Sequence, residues 1–136
     1  MIRKATAVWQ GTLKEGKGNL STESGILDET QYSYKTRFEN GNGTNPEELI
    51  GAAHSGCFTM QLSAFLAEQD FPAEKLETKS EVTFEDGAIS KSHLILTAKV
   101  PNISEEKFKE IATKAKESCP VSKLLDTEIT LDYTLN

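Results

Sequence analysis

The chain has 136 residues, 37% of them hydrophobic and 26% charged, the size and composition of one ordinary soluble domain rather than a disordered segment. Fifteen basic against twenty-one acidic side chains leave a formal charge of -6, which argues against nucleic acid, whose phosphates need clustered Lys and Arg, and against docking on anionic membranes. The longest apolar run is far shorter than a bilayer span, and the start, Met1-Ile2-Arg3-Lys4-Ala5-Thr6, lacks the apolar stretch of a signal peptide, so a cytoplasmic location is expected.

No repeat, low-complexity segment or linker interrupts residues 1–136, and the pattern predicts a single α+β domain. Residues 4–12 and 17–23 read as strands joined by a Glu15-Gly16 turn. Residues 31–39 read as a third strand: Tyr32, Tyr34, Thr36 and Phe38 alternate with Ser33, Lys35, Arg37 and Glu39. After Asn40-Gly41-Asn42-Gly43, a helix is predicted from about Pro46 to Gln69. Asn45 is its cap, Pro46 its first residue, and Glu47 and Glu48 the acids of its first turn. From Leu49 to Leu66 it is apolar or small nearly all round, which places it inside a protein or an interface.

Leu76, Thr78, Ser80, Val82 and Phe84 alternate in the next strand, Asp86-Gly87 signals a hairpin, and Leu94, Leu96, Ala98 and Val100 alternate on the way back. Ser104 caps a second helix whose inner stripe is Phe108, Ile111, Ala112 and Ala115. Cys119 continues the stripe, Pro120 interrupts it, and Ile129, Leu131, Tyr133 and Leu135 mark a last strand. The expected architecture is a mostly antiparallel sheet packed with one long central helix and one shorter amphipathic helix.

Cys57 and Cys119 are the only cysteines, too few for a secreted disulfide scaffold. In a reducing compartment such a pair is buried and inert, metal-bound or catalytic. Free cysteine often acts as a small core hydrophobe, but the small and polar neighbours of Cys57 (Gly51, His54, Ser55, Gly56, Thr59) leave room for a ligand. A reactive Cys57 must be a thiolate. It lies about three turns into its helix, beyond the reach of the helix dipole, so a fixed cation is needed. Arg37 is the best candidate, against the alternative of a solvated charge on a strand; Glu47 can orient it, against the alternative of a simple N-terminal helix acid. Glu47 and Cys57 are about ten residues apart, roughly 15 Å along a helix. Either Arg37 bridges much of that gap or a second subunit supplies part of the site, and the apolar helix favours a homodimer. Cys119 serves a redox role only within disulfide reach of Cys57. His54 and Cys57, one turn apart, could also share a zinc site with Cys119 and His93, although no CxxC or HxxxH supports it. Nor does a GxSxG elbow support a serine hydrolase.

These residues carry a resemblance. Thr44-Asn45-Pro46-Glu47-Glu48-Leu49-Ile50-Gly51-Ala52-Ala53-His54 leading to Cys57-Phe58, and Cys119-Pro120-Val121-Ser122-Lys123, resemble the two cysteine motifs of the OsmC/Ohr family. Gly16-Lys17-Gly18, Ser21-Thr22-Glu23-Ser24-Gly25 and Glu128-Ile129-Thr130-Leu131-Asp132-Tyr133 resemble its OsmC branch, as does Val121 after the second cysteine, so the likeness spans nearly the whole chain. It implies the OsmC fold, antiparallel sheets wrapped around a long central helix in an intertwined homodimer. It also implies a peroxidase that prefers organic hydroperoxides to hydrogen peroxide. By motif position Cys57 matches the peroxidatic cysteine, Cys119 the resolving one, Arg37 the activating arginine and Glu47 its partner. No metal or organic cofactor is implied; the reductant implied is a dithiol, of the lipoyl type among relatives. Phe58, Met60 and Leu62 are candidate neighbours of an alkyl pocket, or core. The competing readings are a redox-sensing or ligand-binding module of the same fold, a zinc protein or hydrolase, and a structural stress protein.

Overall fold

The computed structural model describes residues 1–136, which fall into two units, Met1–Leu49 and Ile50–Asn136. In the first, β1 (Ala5–Gln10) and β2 (Lys17–Thr22) pair antiparallel, with Ala5 opposite Thr22 and Gln10 opposite Lys17. The connecting turn is closed by Gly16 N–H donating to the Thr12 carbonyl at 2.8 Å. β3 (Thr30–Tyr32) adds to the far edge of β2. Gly18 has to be glycine for a steric reason: a Cβ there would lie within 2.6 Å of both the Tyr32 and Trp9 rings, whose centroids are 5.5 Å apart.

The third predicted strand is mostly wrong. β3 stops at Tyr32, and Tyr34–Phe38 form a short helix, α1. A capping box starts it. Ser33 Oγ accepts from the Thr36 N–H at 3.3 Å, and Thr36 Oγ1 accepts from the Ser33 N–H at 2.8 Å. Tyr34 and Phe38, which alternation put on one strand face, are instead one helical turn apart, with ring centroids 4.9 Å from each other. Arg37 therefore projects from a helical turn and not from the polar face of a strand.

α2 (Pro46–Glu68) matches the prediction to within a residue at its end. Asn45 caps it as expected: its Oδ1 accepts from the Glu48 N–H at 2.8 Å, while its Nδ2 donates to the Thr36 carbonyl at 3.0 Å, tying α1 to the helix start.

In the second unit, β4 (Lys75–Glu85) and β5 (Ala88–Lys99) form the predicted hairpin. Asp86 and Gly87 both adopt positive φ, at 51° and 79°, as a two-residue loop of this hand requires. A register shift at Thr83/Phe84 is the one irregularity in the ladder. α3 (Glu105–Ser118) follows, capped by Ser104 Oγ accepting from the Lys107 N–H at 3.1 Å. α4 (Pro120–Leu124) leads to β6 (Glu128–Leu135). β6 pairs parallel with β5, Ser92 opposite Ile129 and Ala98 opposite Leu135. A parallel neighbour needs a crossover, and α3 with α4 supplies it.

The core of this unit is Phe58, Leu62 and Leu66 from α2, Leu94, Leu96 and Ala98 from β5, Val100, the α3 stripe Phe108, Ile111, Ala112 and Ala115, and Cys119. Complete burial of each Phe or Leu contributes about 1.5–3 kcal/mol. Phe58 and Leu62 are therefore core, while Met60 is 76% exposed. Between Glu48 and Glu68, which are themselves exposed, the exposed positions of α2 are Ala52, Ala53, Gly56, Met60, Ser63, Ala64 and Ala67, none of them charged. No helix is long and apolar enough to cross a membrane.

Candidate active site

Cys57 lies in the middle of α2, half-buried, on the flank of the row that sends Phe58 into the core. Cys119 lies at the joint between α3 and α4, with φ -56° and ψ 129°. Proline at the next position accounts for that break, because its ring disfavours the helical conformation in the residue before it. The joint remains anchored at both sides: Cys119 N–H donates to the Ala115 carbonyl and its own carbonyl accepts from the Lys123 N–H, both at 3.0 Å. The side chain of Cys119 is wholly buried.

This geometry brings the two cysteines together. Both are free thiols, and the Cys119 thiol donates to the Cys57 sulfur at 2.9 Å. An approach of roughly 0.9 Å would bring the sulfurs to the bonding distance of about 2.05 Å. Burial pushes the Cys57 thiol above its ordinary pKa and the adjacent Cys119 sulfur raises it further, while the Val121 backbone N–H pulls the other way. The surroundings that Cys57 finds in its own unit thus favour the thiol.

Arg37 and Glu47 also meet, within the first unit. Arg37 donates from Nε at 3.0 Å and from Nη2 at 2.8 Å to the same Glu47 oxygen, Oε1. Glu47 is the more buried of the two side chains, so the carboxylate is the fixed post and the guanidinium the group it aims. The guanidinium also lies over the Phe38 ring, 5.3 Å from its centroid. Beside it opens a cleft of about 310 Å³ lined by Trp9, Leu13, Tyr32, Tyr34, Phe38 and Pro46, mostly apolar with Arg37 as its charged wall.

His54 was legible as a possible ligand but not in its actual role. The ring is completely buried, and both nitrogens are taken: Nδ1 by Ser92 Oγ at 2.6 Å and Nε2 by Ser122 Oγ at 2.8 Å. Ser92 Oγ in turn meets Ser80 Oγ at 3.1 Å. The zinc alternative loses its donors here: His93 is bound to Thr130 and Asp132, and no three His, Cys, Asp or Glu side chains are grouped to hold a metal. The signal for Ser92 was present in the alternation of β5, where it stands on the same inward row as Leu94, Leu96 and Ala98. A serine on an apolar row needs a buried partner.

Burial lowers the His54 pKa below its ordinary 6.5. The unfolded chain therefore takes up a proton at this position that the folded chain refuses. The stability this confers is fully present above pH 6.5 and is lost as pH falls below that value toward the folded-state pKa. Urea midpoints should accordingly drop between about pH 6.5 and pH 5, before most carboxylates titrate. A His54→Gln variant should show a flatter profile in that window; an identical slope would assign the effect elsewhere.

Comparison with known proteins gives this chain its relatives. A family model described as OsmC-like protein matches residues 39–134. Peroxiredoxin OsmC of Escherichia coli K12 is 47% identical over 137 residues, covering 98% of this chain and 96% of that protein. The organic hydroperoxide resistance protein OhrB of Bacillus subtilis is 29% identical over 110 residues, 78% of this chain and 79% of its own. The solved structure of an OsmC-like protein of unknown function from Vibrio cholerae superposes with a TM-score of 0.76. It covers 98% of this chain and 99% of its own at 15% identity, a likeness of fold.

Proposed function

Because the chain belongs to the OsmC-like family and is a thiol peroxidase by its kinship, we propose that it reduces organic hydroperoxides to alcohols, with Cys57 as peroxidatic and Cys119 as resolving cysteine. The observation that carries this reading is the 2.9 Å approach of two free thiols 62 residues apart, one half-exposed and the other wholly buried. A peroxide from solvent meets Cys57 first, and Cys119 is already placed for the second step.

In the first step the Cys57 thiolate attacks the distal oxygen of ROOH. An S–O bond forms, the O–O bond breaks, and the alkoxide leaves and takes up a proton as ROH, so Cys57 becomes a sulfenic acid. Cys119 sulfur then attacks the sulfenic sulfur. The S–S bond forms, the S–O bond breaks, and hydroxide leaves with the Cys119 proton as water. A dithiol of the lipoyl type would restore both thiols by becoming a disulfide itself. The wholly buried position of Cys119 favours attack of that dithiol on the Cys57 sulfur. The cycle uses no metal or organic cofactor.

The raised pKa of Cys57 makes a cation necessary, and we assign that task to Arg37, aimed by Glu47. The apolar cleft beside Arg37 suits an alkyl or aryl group on the peroxide better than it suits hydrogen peroxide. The uncharged exposed stretch of α2 between Glu48 and Glu68 supports the homodimer, with this stretch against a second copy in a single OsmC-like domain per chain, working in the cytoplasm. An Arg37→Met variant should raise the pH midpoint of Cys57 thiolate absorbance by roughly one unit or more. Its turnover should fall by about 100-fold or more, because the same fork stabilises charge on the breaking O–O bond. An unchanged thiolate titration would remove Arg37 from this role.

The reading as a whole is tested by mixing the reduced protein with cumene hydroperoxide or hydrogen peroxide in a stopped-flow instrument and taking intact masses. A fast internal disulfide, faster with the organic peroxide, is the expected result. Thiols that stay reduced would leave only packing for the two cysteines.

A further inference from the structure

Resolution of a sulfenic acid demands that Cys119 keep its place while the oxygen atom is inserted and expelled. The turn that carries it is short of internal support. α4 has only five residues and Pro120 brings no N–H; backbone bonds run within the segment, from Lys123 to Cys119 and from Leu125 to Val121, and from Cys119 back to Ala115 of α3, each at 3.0 Å. Beside the thiol contact itself, the turn is tied to α2 by Ser122 Oγ on His54 Nε2 at 2.8 Å.

We infer that His54 is a positioning residue for the resolving step: its ring ties the turn Cys119-Pro120-Val121-Ser122 to α2 and so sets the approach of Cys119 to Cys57. The inference rests on the peroxidase reading above and adds a residue to it. His54 stands one helical turn before Cys57 on the same rigid helix, so a group fixed to His54 is fixed relative to Cys57. The ring cannot swing away, because its other nitrogen is held by Ser92 of β5 at 2.6 Å, itself against Ser80 of β4 at 3.1 Å. The chain Ser80–Ser92–His54–Ser122 thus runs from the sheet through α2 to the turn, entirely with uncharged donors and acceptors. A neutral imidazole donates at one nitrogen and accepts at the other, which suits two hydroxyls. The Val121 N–H on the Cys57 sulfur shows the same turn already seated against the peroxidatic cysteine.

The test measures thiol placement without peroxide. Reduced wild type, Ser122→Ala and His54→Gln are equilibrated with glutathione and glutathione disulfide, and intact masses give the effective concentration of one thiol toward the other. Both variants should lose about 10-fold or more, a shift of roughly 30 mV in potential. In stopped flow with cumene hydroperoxide, resolution should slow by a similar factor relative to the oxidation step, so that sulfenic acid accumulates. A purely structural role would lower the thermal midpoint and leave the thiol–disulfide equilibrium of the folded protein unmoved. Ser122→Ala removes only one hydroxyl and so remains decisive even where His54→Gln folds poorly: an effective concentration within about two-fold of wild type overturns the inference. Wild type that forms the disulfide with glutathione yet ignores peroxide would overturn the peroxidase reading and leave the clamp standing.

Discussion

Replacing Cys57 with serine should bring hydroperoxide reduction down to the uncatalysed rate. A hydroxyl is not ionised near neutral pH and has no counterpart to the sulfenic acid, so neither the nucleophile nor the intermediate survives. Cys119 cannot substitute for it, because its side chain is wholly buried and has no route to a peroxide in solution. The change is small in volume, so the fold should persist and the loss can be read as chemistry. Dithiol consumption with cumene hydroperoxide measures it, together with trapping of sulfenic acid by a dimedone-type reagent. Turnover that persisted in this variant would place the reaction at another group and sink the assignment.

Replacing Cys119 with serine gives the second large effect, of a different kind. The variant should reduce about one peroxide per chain and then stall, since the Cys57 sulfenic acid has no neighbouring thiol to close on. With excess peroxide it should climb to the sulfinic acid, visible as two added oxygens in the intact mass. Steady-state turnover with a dithiol should fall by about 100-fold or more, the effect expected when an oriented intramolecular reaction becomes bimolecular. High concentrations of a small thiol should restore part of it. Unchanged cycling would remove Cys119 from the mechanism and reduce its 2.9 Å contact with Cys57 to packing.

The two variants and the Arg37 experiment separate three demands on the site. In the proposed mechanism Cys57 supplies the nucleophile, Cys119 its protection, and Arg37 the charge that the surroundings of Cys57 do not provide. Burial and the adjacent sulfur both raise the Cys57 pKa, so a protein with the cysteine pair but without the cation should form its disulfide slowly.

Much of this was legible in the amino-acid order because the signals are local. Asn45-Pro46-Glu47-Glu48 marks the start of α2, Asp86-Gly87 the hairpin and Ser104 the start of α3, each through bonds that close within four residues. Cys57, Cys119, Arg37 and Glu47 were candidates by residue type, and the family resemblance, not local pattern, singled out their motifs and implied their roles. α1 was misread because a five-residue helix is too short to display a period, and the Tyr32-Tyr34-Thr36-Phe38 alternation spoke louder than the Ser33–Thr36 capping box that in fact decides it. What no local pattern carries is choice of partner. That β6 lies parallel beside β5, that His54 meets serines 38 and 68 residues away, and that two thiols 62 residues apart come within 2.9 Å all depend on how α2, β5 and the α3–α4 joint pack around one core. Such contacts form only after the loops between them have closed, so the free energy that selects them comes from burying the whole core and not from any segment's own preference.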